Sequence, residues 1–299
     1  MISEPALDRL SAMFQAPDVS GTRYTLISVL GRGGMGVVYL ARDRVLDREV
    51  ALKITDLPKP VPADAVEGPP REVNEARILA RLEHPGIVPV HDFGELPDGR
   101  LFYAMKRVRG DRLDRWMTPG RELTERLQVF LRVCDAVAFA HARGVVHRDL
   151  KPENVMIGEF GEVLVLDWGV AQEMQNASGR LPIAGTPAYM APEQARGDGG
   201  VDHRADVFSR GAMLEATAGT APVVAIARKA RADDPGARYQ DVQALSADIS
   251  RFLSGRAVEA HRERVVDRLA RFFRRYRLPI LLVLTYLVAR VLLLWLVHV

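Results

Sequence analysis

Residues 145–157 read VVHRDLKPENVMI, and a second stretch at 163–171 reads VLVLDWGVA. Asn154 follows Asp149 by five residues, and Asp167 follows Asn154 by a further 13. A carboxylate and an amide oxygen are the hard ligands that suit Mg²⁺ when it is held together with phosphates. Asp149 is placed as a second acid that can orient a hydroxyl group. The two stretches therefore predict a site that handles phosphate groups.

A glycine-rich stretch at 30–38, LGRGGMGVV, lies between two predicted strands. Gly31, Gly33 and Gly36 match the pattern G-x-G-x-x-G, which alone is a weak signal. In a dinucleotide-binding fold a helix would follow, whereas here a strand follows. Glycines allow a hairpin backbone to lie close over phosphates with its N–H groups directed at them. A merely flexible hairpin remains the alternative for this stretch on its own.

A lysine and a glutamate on neighbouring elements form the next candidate pair. Lys53 ends the sequence VALK on the third predicted strand, 17 residues after Gly36. Glu75 lies in NEARILARL, whose apolar spacing predicts a helix. Because a buried lysine needs a partner, an acid from that helix can hold it toward phosphate oxygens.

Five motifs occur in the order GRGGMGVV, VALK, HRDLKPEN, LDWG and GTPAYMAPE. With this set of motifs the chain resembles a protein kinase. In detail the motifs are similar to those of bacterial serine/threonine kinases of eukaryotic type. The resemblance covers about residues 24–255 and implies an α+β fold of two lobes, with a β-rich N-lobe at about 22–107 and a helical C-lobe at about 108–255. It implies ATP and Mg²⁺ as cofactors and protein serine or threonine hydroxyls as acceptors.

The resemblance also implies the parts of a nucleotide site. The backbone at 32–35 would cover the ATP phosphates, and Lys53 would contact the α- and β-phosphates while paired with Glu75. A hinge would follow at 106–108. The other ATP-binding residues that it implies are Leu30, Gly31, Gly33, Gly36, Val38, Ala51 and the gatekeeper Met105.

The catalytic roles are implied in the same way. Asp149 would be the catalytic base, while Asn154 and Asp167 would hold Mg²⁺. Lys151 would steady the transferred phosphate, and its presence favours serine and threonine over tyrosine substrates.

The remaining assigned residues are structural or regulatory. Thr186 would bridge Asp149 and Lys151, and Glu193 should form a buried ion pair with Arg238. The last three are Asp206, expected to brace the catalytic loop, Arg148, expected to meet an activation-loop phosphate, and Ser178, the only hydroxyl between Gly169 and Gly185. For Ser178, a plain solvated serine is an equally open interpretation.

Three features depart from the kinase pattern. Trp168 replaces the usual Phe after the metal-binding Asp, and because this residue packs rather than coordinates, a bulky aromatic can serve. Only 27 positions separate Gly211 from Arg238, so the region of the substrate-docking helix is predicted to be deleted near 220–222. Arg210 stands where relatives usually carry an apolar residue, and the deletion is expected to leave it in contact with water.

Composition excludes several classes of protein. The single cysteine, Cys134, rules out a disulfide framework, and its apolar helical surroundings favour a buried small side chain. The net charge is only +3, and nine arginines are concentrated at 251–277. A basic segment of this kind next to an apolar run does not indicate nucleic-acid binding.

The C-terminal residues 278–299 read LPILLVLTYLVARVLLLWLVHV, with Arg290 as the only charge. At about 1.5 Å per residue, such a helix would cover about 33 Å, enough for a bilayer core. We expect a transmembrane helix at 278–299, preceded by a basic juxtamembrane segment at 256–277. The positive-inside rule then places the kinase domain, 22–255, and the N-terminal lead, 1–21, in the cytoplasm at the inner membrane. A buried helix of a soluble domain is the alternative.

Two main functions remain open from the sequence. An active membrane-anchored serine/threonine kinase is favoured by the intact Lys53, Asp149, Asn154 and Asp167. A nucleotide-binding pseudokinase or scaffold at the membrane is favoured by the shortened lower lobe, and a different ATP-dependent transferase is a third alternative. Self-association through 256–299 is a possibility without residue evidence.

Overall fold

The computed structural model describes residues 17–33, 36–56, 71–118, 120–173, 185–198, 200–216, 219–261 and 277–298. Side chains are described throughout these ranges except at 71–72, 172–173, 277 and 291–298. Four predicted features lie wholly or partly outside them: residues 1–16 of the N-terminal lead, Ser178, the tip of the glycine-rich stretch at 34–35, and the basic residues at 262–276.

The upper lobe is an antiparallel sheet with the strand order β1-β2-β3-β5-β4. Its strands are β1 Tyr24–Gly33, β2 Gly36–Asp43, β3 Arg48–Ile54, β4 Val90–Glu95 and β5 Leu101–Lys106. Alternate side chains of these strands form a small apolar core that includes Tyr24, Leu52 and Phe102. The sheet therefore holds β1, β2 and β3 as one rigid layer above the cleft.

Helix α1, Arg71–Arg81, packs beside this sheet. Its apolar residues recur at helical spacing, and Ile78 and Leu79 are buried. Glu75 lies three and four positions before them, which brings its carboxylate to the same buried face. The predicted helix is thus present, and it delivers an acid to the cleft.

The lower lobe is mainly helical. Its elements in chain order are β6 Gly110–Arg112, α2 Leu113–Trp116, α3 Leu123–Ala142, β7 Val145–Val146, β8 Val155–Gly158, β9 Val163–Val165, β10 Gln172–Glu173, α4 Pro192–Ala195, α5 Arg204–Glu215, α6 Ala221–Ala230 and α7 Val242–Leu253. The short strands pair as β6-β8-β9 and β10-β7. The expected arrangement of a β-rich lobe and a helical lobe is confirmed.

Helix α3 is the buried axis of the lower lobe. Leu127, Val137 and Ala140 on this helix are completely buried. The helix ends before Gly144, whose φ of +76° is a left-handed conformation that glycine adopts without strain. This turn leads directly into β7 and the loop that carries Asp149.

Helices α5 and α6 pack directly on each other, because only five residues, 216–220, connect them. Gly211 permits the close approach: a Cβ at this position would lie 2.8 Å from the Cβ of Ala230 and 3.0 Å from the carbonyl oxygen of Ala227. A connection of five residues leaves no room for a further helix of ordinary length. The shortened segment of the sequence therefore corresponds to close packing of α6 on α5.

The expectation that Arg210 contacts water was wrong. Its side chain is completely buried within the lower lobe. The side chain lies against α3, where its guanidinium contacts the Cys134 thiol, the Val133 carbonyl oxygen and the Phe130 ring.

The chain beyond α7 has two described parts. Residues 256–261 pack back onto the lower lobe, and helix α8, Arg277–His298, lies near the C-terminus. Within the described part of the chain, no helix combines the length and apolar character needed to cross a membrane. The transmembrane helix expected at 278–299 is therefore not supported.

Candidate active site

The cleft between the lobes contains a buried cation held by two acids. Lys53 on β3 donates from Nζ to both carboxylate oxygens of Glu75, at 3.1 and 3.0 Å, and to Oδ1 of Asp167 at 3.2 Å. Glu75 comes from α1 and Asp167 follows β9, so the contact joins both lobes. The pair expected between Lys53 and Glu75 is present, and it places one ammonium group beside the candidate metal ligand.

The charges of this trio are strongly coupled. Burial alone would lower the pKa of Lys53, but the carboxylates of Glu75 and Asp167 outweigh it and the pKa lies above its ordinary value. For Asp167, burial acts to raise the pKa, and the Lys53 ammonium reverses the shift and lowers it. The pKa of Glu75 is raised, chiefly by burial. Lys53 therefore stays charged at neutral pH and can attract phosphate oxygens.

The expected adenine-binding residues lie on adjacent strands. Ala51 faces Met105 across the β3–β5 pair, and Val38 is aligned with Lys53 across the β2–β3 pair. Leu30 on β1 is half exposed, at 50%. Of the three motif glycines, Gly36 has φ of +133°, and a Cβ there would lie 2.2 Å from the carbonyl oxygen of Ile54. Only glycine fits at this end of the hairpin.

The lower side of the cleft holds Asp149 in a defined orientation. Its Oδ1 accepts from the amide and the hydroxyl of Thr186, at 2.8 and 2.9 Å. Its Oδ2 accepts from Lys151 Nζ at 2.8 Å, and the same ammonium donates to Thr186 Oγ1 at 2.7 Å. The bridge expected between Asp149, Lys151 and Thr186 is therefore present as contacts.

Asn154 is oriented for a metal role. Its amide nitrogen donates to the carbonyl oxygen of Asp149 at 2.8 Å, which leaves its own side-chain oxygen as an acceptor. The Asp167 side chain is 45% exposed toward the cleft. Among the described residues no group of three or more His, Cys, Asp or Glu side chains gathers as a metal site. An oxygen-ligated ion that completes its shell with phosphates fits this sparse donor set, as Mg²⁺ does.

A buried aspartate braces the loop that carries Asp149. Asp206 on α5 accepts from the backbone amides of His147 and Arg148, at 2.9 and 2.8 Å, and lies 2.7 Å from Nε2 of His141. Burial would raise the pKa of Asp206, but these contacts, led by His141, lower it. The loop backbone is strained at Arg148, which has φ of +68°. Asp206 thus stabilises a loop conformation that the chain alone would disfavour.

A second buried ion pair anchors the segment that carries Thr186. Arg238 forms two 2.7 Å hydrogen bonds to the two carboxylate oxygens of Glu193 on α4. The guanidinium also donates to the carbonyl oxygens of Ala232, Arg204 and Asp233. Such a two-pronged pair fixes direction as well as distance, so α4 has one position on the lobe.

Trp168 is completely buried, with its ring centroid 4.5 Å from that of His147. The imidazole of His147 lies 3.0 Å from the carbonyl oxygen of Leu166. Packing therefore joins the stretch of Asp167 to the loop of Asp149, and the bulky aromatic side chain occupies the site without a role as a ligand.

Three positioning residues were missed in the sequence. Tyr103 donates to Glu75 Oε1 at 2.7 Å, His141 contacts Asp206, and Gln194 donates to the carbonyl oxygen of Arg148 at 2.7 Å. Tyr103 lies opposite Lys53 in the β3–β5 register, so strand pairing was a signal that could have found it. The other two sit on helices whose orientation the sequence does not specify.

The fold and the site define a class of protein. The chain belongs to the protein kinase family, because its residues 24–264 match the protein kinase domain. Its curated relatives are bacterial serine/threonine kinases. It is 41% identical over 216 residues to the DNA damage-responsive serine/threonine-protein kinase RqkA of Deinococcus radiodurans, and this match covers 68% of the present chain and 30% of RqkA. It is 34% identical over 288 residues to the serine/threonine-protein kinase PknB of Mycolicibacterium smegmatis, and this match covers 82% of the present chain and 45% of PknB. The chain thus spans less than half the length of either relative.

Proposed function

We propose that this chain is an ATP- and Mg²⁺-dependent serine/threonine protein kinase that transfers the γ-phosphate of ATP to protein hydroxyls. The arrangement around Asp149 carries the proposal: a carboxylate held by Thr186, with Lys151 2.8 Å away. The relatives are named as serine/threonine kinases, which supports the same activity here.

The side chains of the cleft divide the work between them. The Asp149 carboxylate accepts the proton of the attacking hydroxyl, while the new O–P bond forms and the bond from phosphorus to the leaving oxygen of ADP breaks. Lys151 and Lys53 offset negative charge on the phosphoryl oxygens. Asn154 and Asp167 would hold Mg²⁺, which neutralises phosphate charge when it is bound. Alignment of the hydroxyl with the phosphorus then supplies most of the acceleration.

The proposal is tested with the full chain, Mg²⁺ and ATP labelled in the γ-phosphate, with a general protein acceptor. We expect the Asp149→Asn variant to transfer phosphate about 10²- to 10⁴-fold more slowly, because it lacks the base. Its affinity for ATP should stay within about two-fold of the wild type, because Asp149 does not hold the nucleotide. Asp135→Asn, on the exposed face of α3, is the matched control and should retain full activity.

A pseudokinase or scaffold is the second candidate. The five-residue connection between α5 and α6 favours it, because the surface expected to receive protein substrates is shortened. ATP binding by the wild type without transfer to itself or to the acceptor would reject the kinase proposal in favour of this one.

We also propose that the C-terminal apolar segment attaches the chain to the cytoplasmic membrane, with the kinase domain in the cytoplasm. The support is the composition of 278–299 and the exposure of the described apolar side chains of α8, such as Leu281 at 62% and Leu282 at 69%. Exposed side chains of this kind call for a covering surface. Self-association through 256–299 stays a prediction.

Alkaline carbonate extraction of membranes from cells that express the full chain tests the attachment. Retention in the pellet supports it, and release into the soluble fraction rejects it. Removal of 278–299 should release the protein without loss of ATP binding.

A further inference from the structure

Residues 256–261, which we name the C-terminal strap, fold back onto the lower lobe immediately after α7. The reversal occurs at Gly255, whose φ is +66°, and is closed by a 2.8 Å hydrogen bond from the amide of Arg256 to the carbonyl oxygen of Arg251. Val258 in the strap is buried, at 5% exposure, within the main core of the lobe. The strap is therefore part of the packed domain.

One buried carboxylate holds the strap in place. Asp248 on α7 is completely buried and accepts from the backbone amides of Glu259 and Ala260, at 2.8 and 3.0 Å. Arg251 lies 3.1 Å from the same carboxylate and 2.6 Å from the side chain of Glu259. Two consecutive amides on one carboxylate specify both the position and the direction of the strap.

The same carboxylate also reaches the anchor of α4. Tyr239 is buried and donates its hydroxyl to Asp248 Oδ2 at 2.7 Å. The residue before it is Arg238, which forms the two-pronged ion pair with Glu193. Asp248 thus joins the strap, through one hydroxyl and one peptide unit, to the pair that fixes α4.

We propose that Asp248 is a positioning residue for phosphoryl transfer to protein, and that docking of the C-terminal strap is what sets it. Asp248 holds Tyr239, Tyr239 fixes the direction of Arg238, and Arg238 holds α4 and the residues before it, which include Thr186 on Asp149. Undocking of the strap loosens this path and so lowers the activity toward protein acceptors. The nucleotide side of the cleft lies outside the path. The proposal deepens the kinase function and rests on it.

Tyr239→Phe in the full chain tests the path, because it removes only the hydroxyl that joins Asp248 to the Arg238 segment. Tyr24→Phe is the matched control: Tyr24 is also buried and also donates to a carboxylate, that of Asp92 at 2.8 Å, but in the upper lobe. The measurements are amide hydrogen exchange at 185–198, kcat and KM for a peptide acceptor, and ATP affinity.

For Tyr239→Phe we expect faster exchange at 185–198 and kcat/KM for the peptide lower by about 3- to 10-fold, with ATP affinity within about two-fold. Tyr24→Phe should leave the exchange at 185–198 unchanged. Unchanged exchange in Tyr239→Phe would overturn the path, and so would equal changes in both variants. Amide exchange does not depend on catalysis, so it tests the path from Asp248 to Thr186 even if the wild type transfers no phosphate. Absence of transfer by the wild type would instead refute the kinase function.

Val258→Asp tests the strap itself. A buried charge should undock the strap and speed exchange at the amides of 259 and 260, while the Asp248 and Tyr239 side chains are themselves left unaltered. If the strap is the regulator, exchange at 185–198 rises with it and peptide kcat/KM falls. Rapid exchange at 259 and 260 with unchanged values at 185–198 and unchanged peptide kinetics would show that the strap is only a structural cover.

Discussion

The cleft and the centre of the lower lobe both bury cationic side chains, and they treat the charge differently. In the cleft, Lys53 is 7% exposed and lies within 3.2 Å of two carboxylates. Arg238, at the base of α4, is 2% exposed and shares two hydrogen bonds with Glu193. Arg210, on α5, is 0% exposed, and its described contacts are the Cys134 thiol, the Val133 carbonyl oxygen and the Phe130 ring.

The thiol does not act as a counter-ion for Arg210. Burial raises the pKa of Cys134 above its ordinary value, even though the nearby guanidinium acts to lower it. The Nε of Arg210 has no hydrogen-bond partner among the described residues. A desolvated cation without an anion costs several kcal/mol. The structure gives no reason for an arginine at this position.

Lys53, Arg238 and Arg210 show that the burial of a cation and its pairing with an anion are separate properties. Where a cation is paired, its partner comes from another element, so the pair fixes a geometry: α1 against β3, or α4 against the lower lobe. Where the cation is unpaired, its burial lowers the stability of the fold and does not hold two elements in a fixed arrangement. The comparison predicts opposite responses when one charge is removed from a paired site and from the unpaired site.

The largest effect is expected at the paired site. Glu193→Ala should lower the free energy of unfolding by about 3–5 kcal/mol, because Arg238 would stay buried without its carboxylate. Urea unfolding measures the loss. The double variant Glu193→Ala with Arg238→Met should recover part of it, since no unpaired charge remains. A single variant that loses less than about 1 kcal/mol would contradict the value assigned to the pair.

The unpaired site should respond with the opposite sign. Arg210→Met should raise the free energy of unfolding by about 1–3 kcal/mol, because it removes a buried charge while it keeps most of the volume. The Val133 carbonyl oxygen loses a donor, which limits the gain. Arg210→Lys is the control and should not stabilise, since it retains the charge. Destabilisation by Arg210→Met of more than about 2 kcal/mol would show that the guanidinium is a structural partner after all.

The sequence predicted one of these regions much better than the other. The order of motifs places Lys53, Glu75, Asp149, Asn154 and Asp167, because each belongs to a short local pattern that recurs with the chemistry. Arg210 could not be placed, because its burial depends on how α5 is turned against α3, the helix whose residues it contacts. That orientation is a property of two packed helices rather than of one sequence pattern.

The domain boundary shows the same limit. The resemblance to protein kinases implies a domain that ends at about 255, and in the structure residues 256–261 also pack on the lower lobe. A left-handed glycine ends a helix whether the chain leaves the domain or turns back. What decides between the two is Asp248, which is buried and holds the strap. The pattern of a helix in the sequence does not distinguish a buried acid from a solvated one.

Acid should weaken the sites that are held by a buried carboxylate and leave the cost of the unpaired Arg210 unchanged. Asp206 and Asp248 are both buried, and although burial acts to raise their pKa values, the donors around each lower them below the ordinary value of 3.8. The unfolded chain therefore takes up protons before the folded one, so stability present above about pH 5 falls as the pH drops through the folded-state pKa values.

Urea unfolding at pH 7, 5 and 4 measures this dependence. The free energy of unfolding should decrease toward pH 4, while the gain from Arg210→Met should stay constant across the series. A gain that is small at pH 7 and grows toward pH 4 would mean that an ionised acid compensates the charge of Arg210 at neutral pH.

The smallest effect is expected at Trp168, which is the cleft's own counterpart to Arg210. Its indole Nε1 is buried and has no hydrogen-bond partner among the described residues, but it carries no charge. Trp168→Phe removes this donor, whose burial costs about 1–3 kcal/mol, and leaves a small cavity that costs roughly 1 kcal/mol. The terms nearly cancel, so the free energy of unfolding should change by less than about 2 kcal/mol and kcat by less than about three-fold. Urea unfolding and peptide kinetics check both values. A loss of more than about 3 kcal/mol would show that shape, rather than unpaired polarity, dominates at this position, and the parallel with Arg210 would then hold only for charged groups.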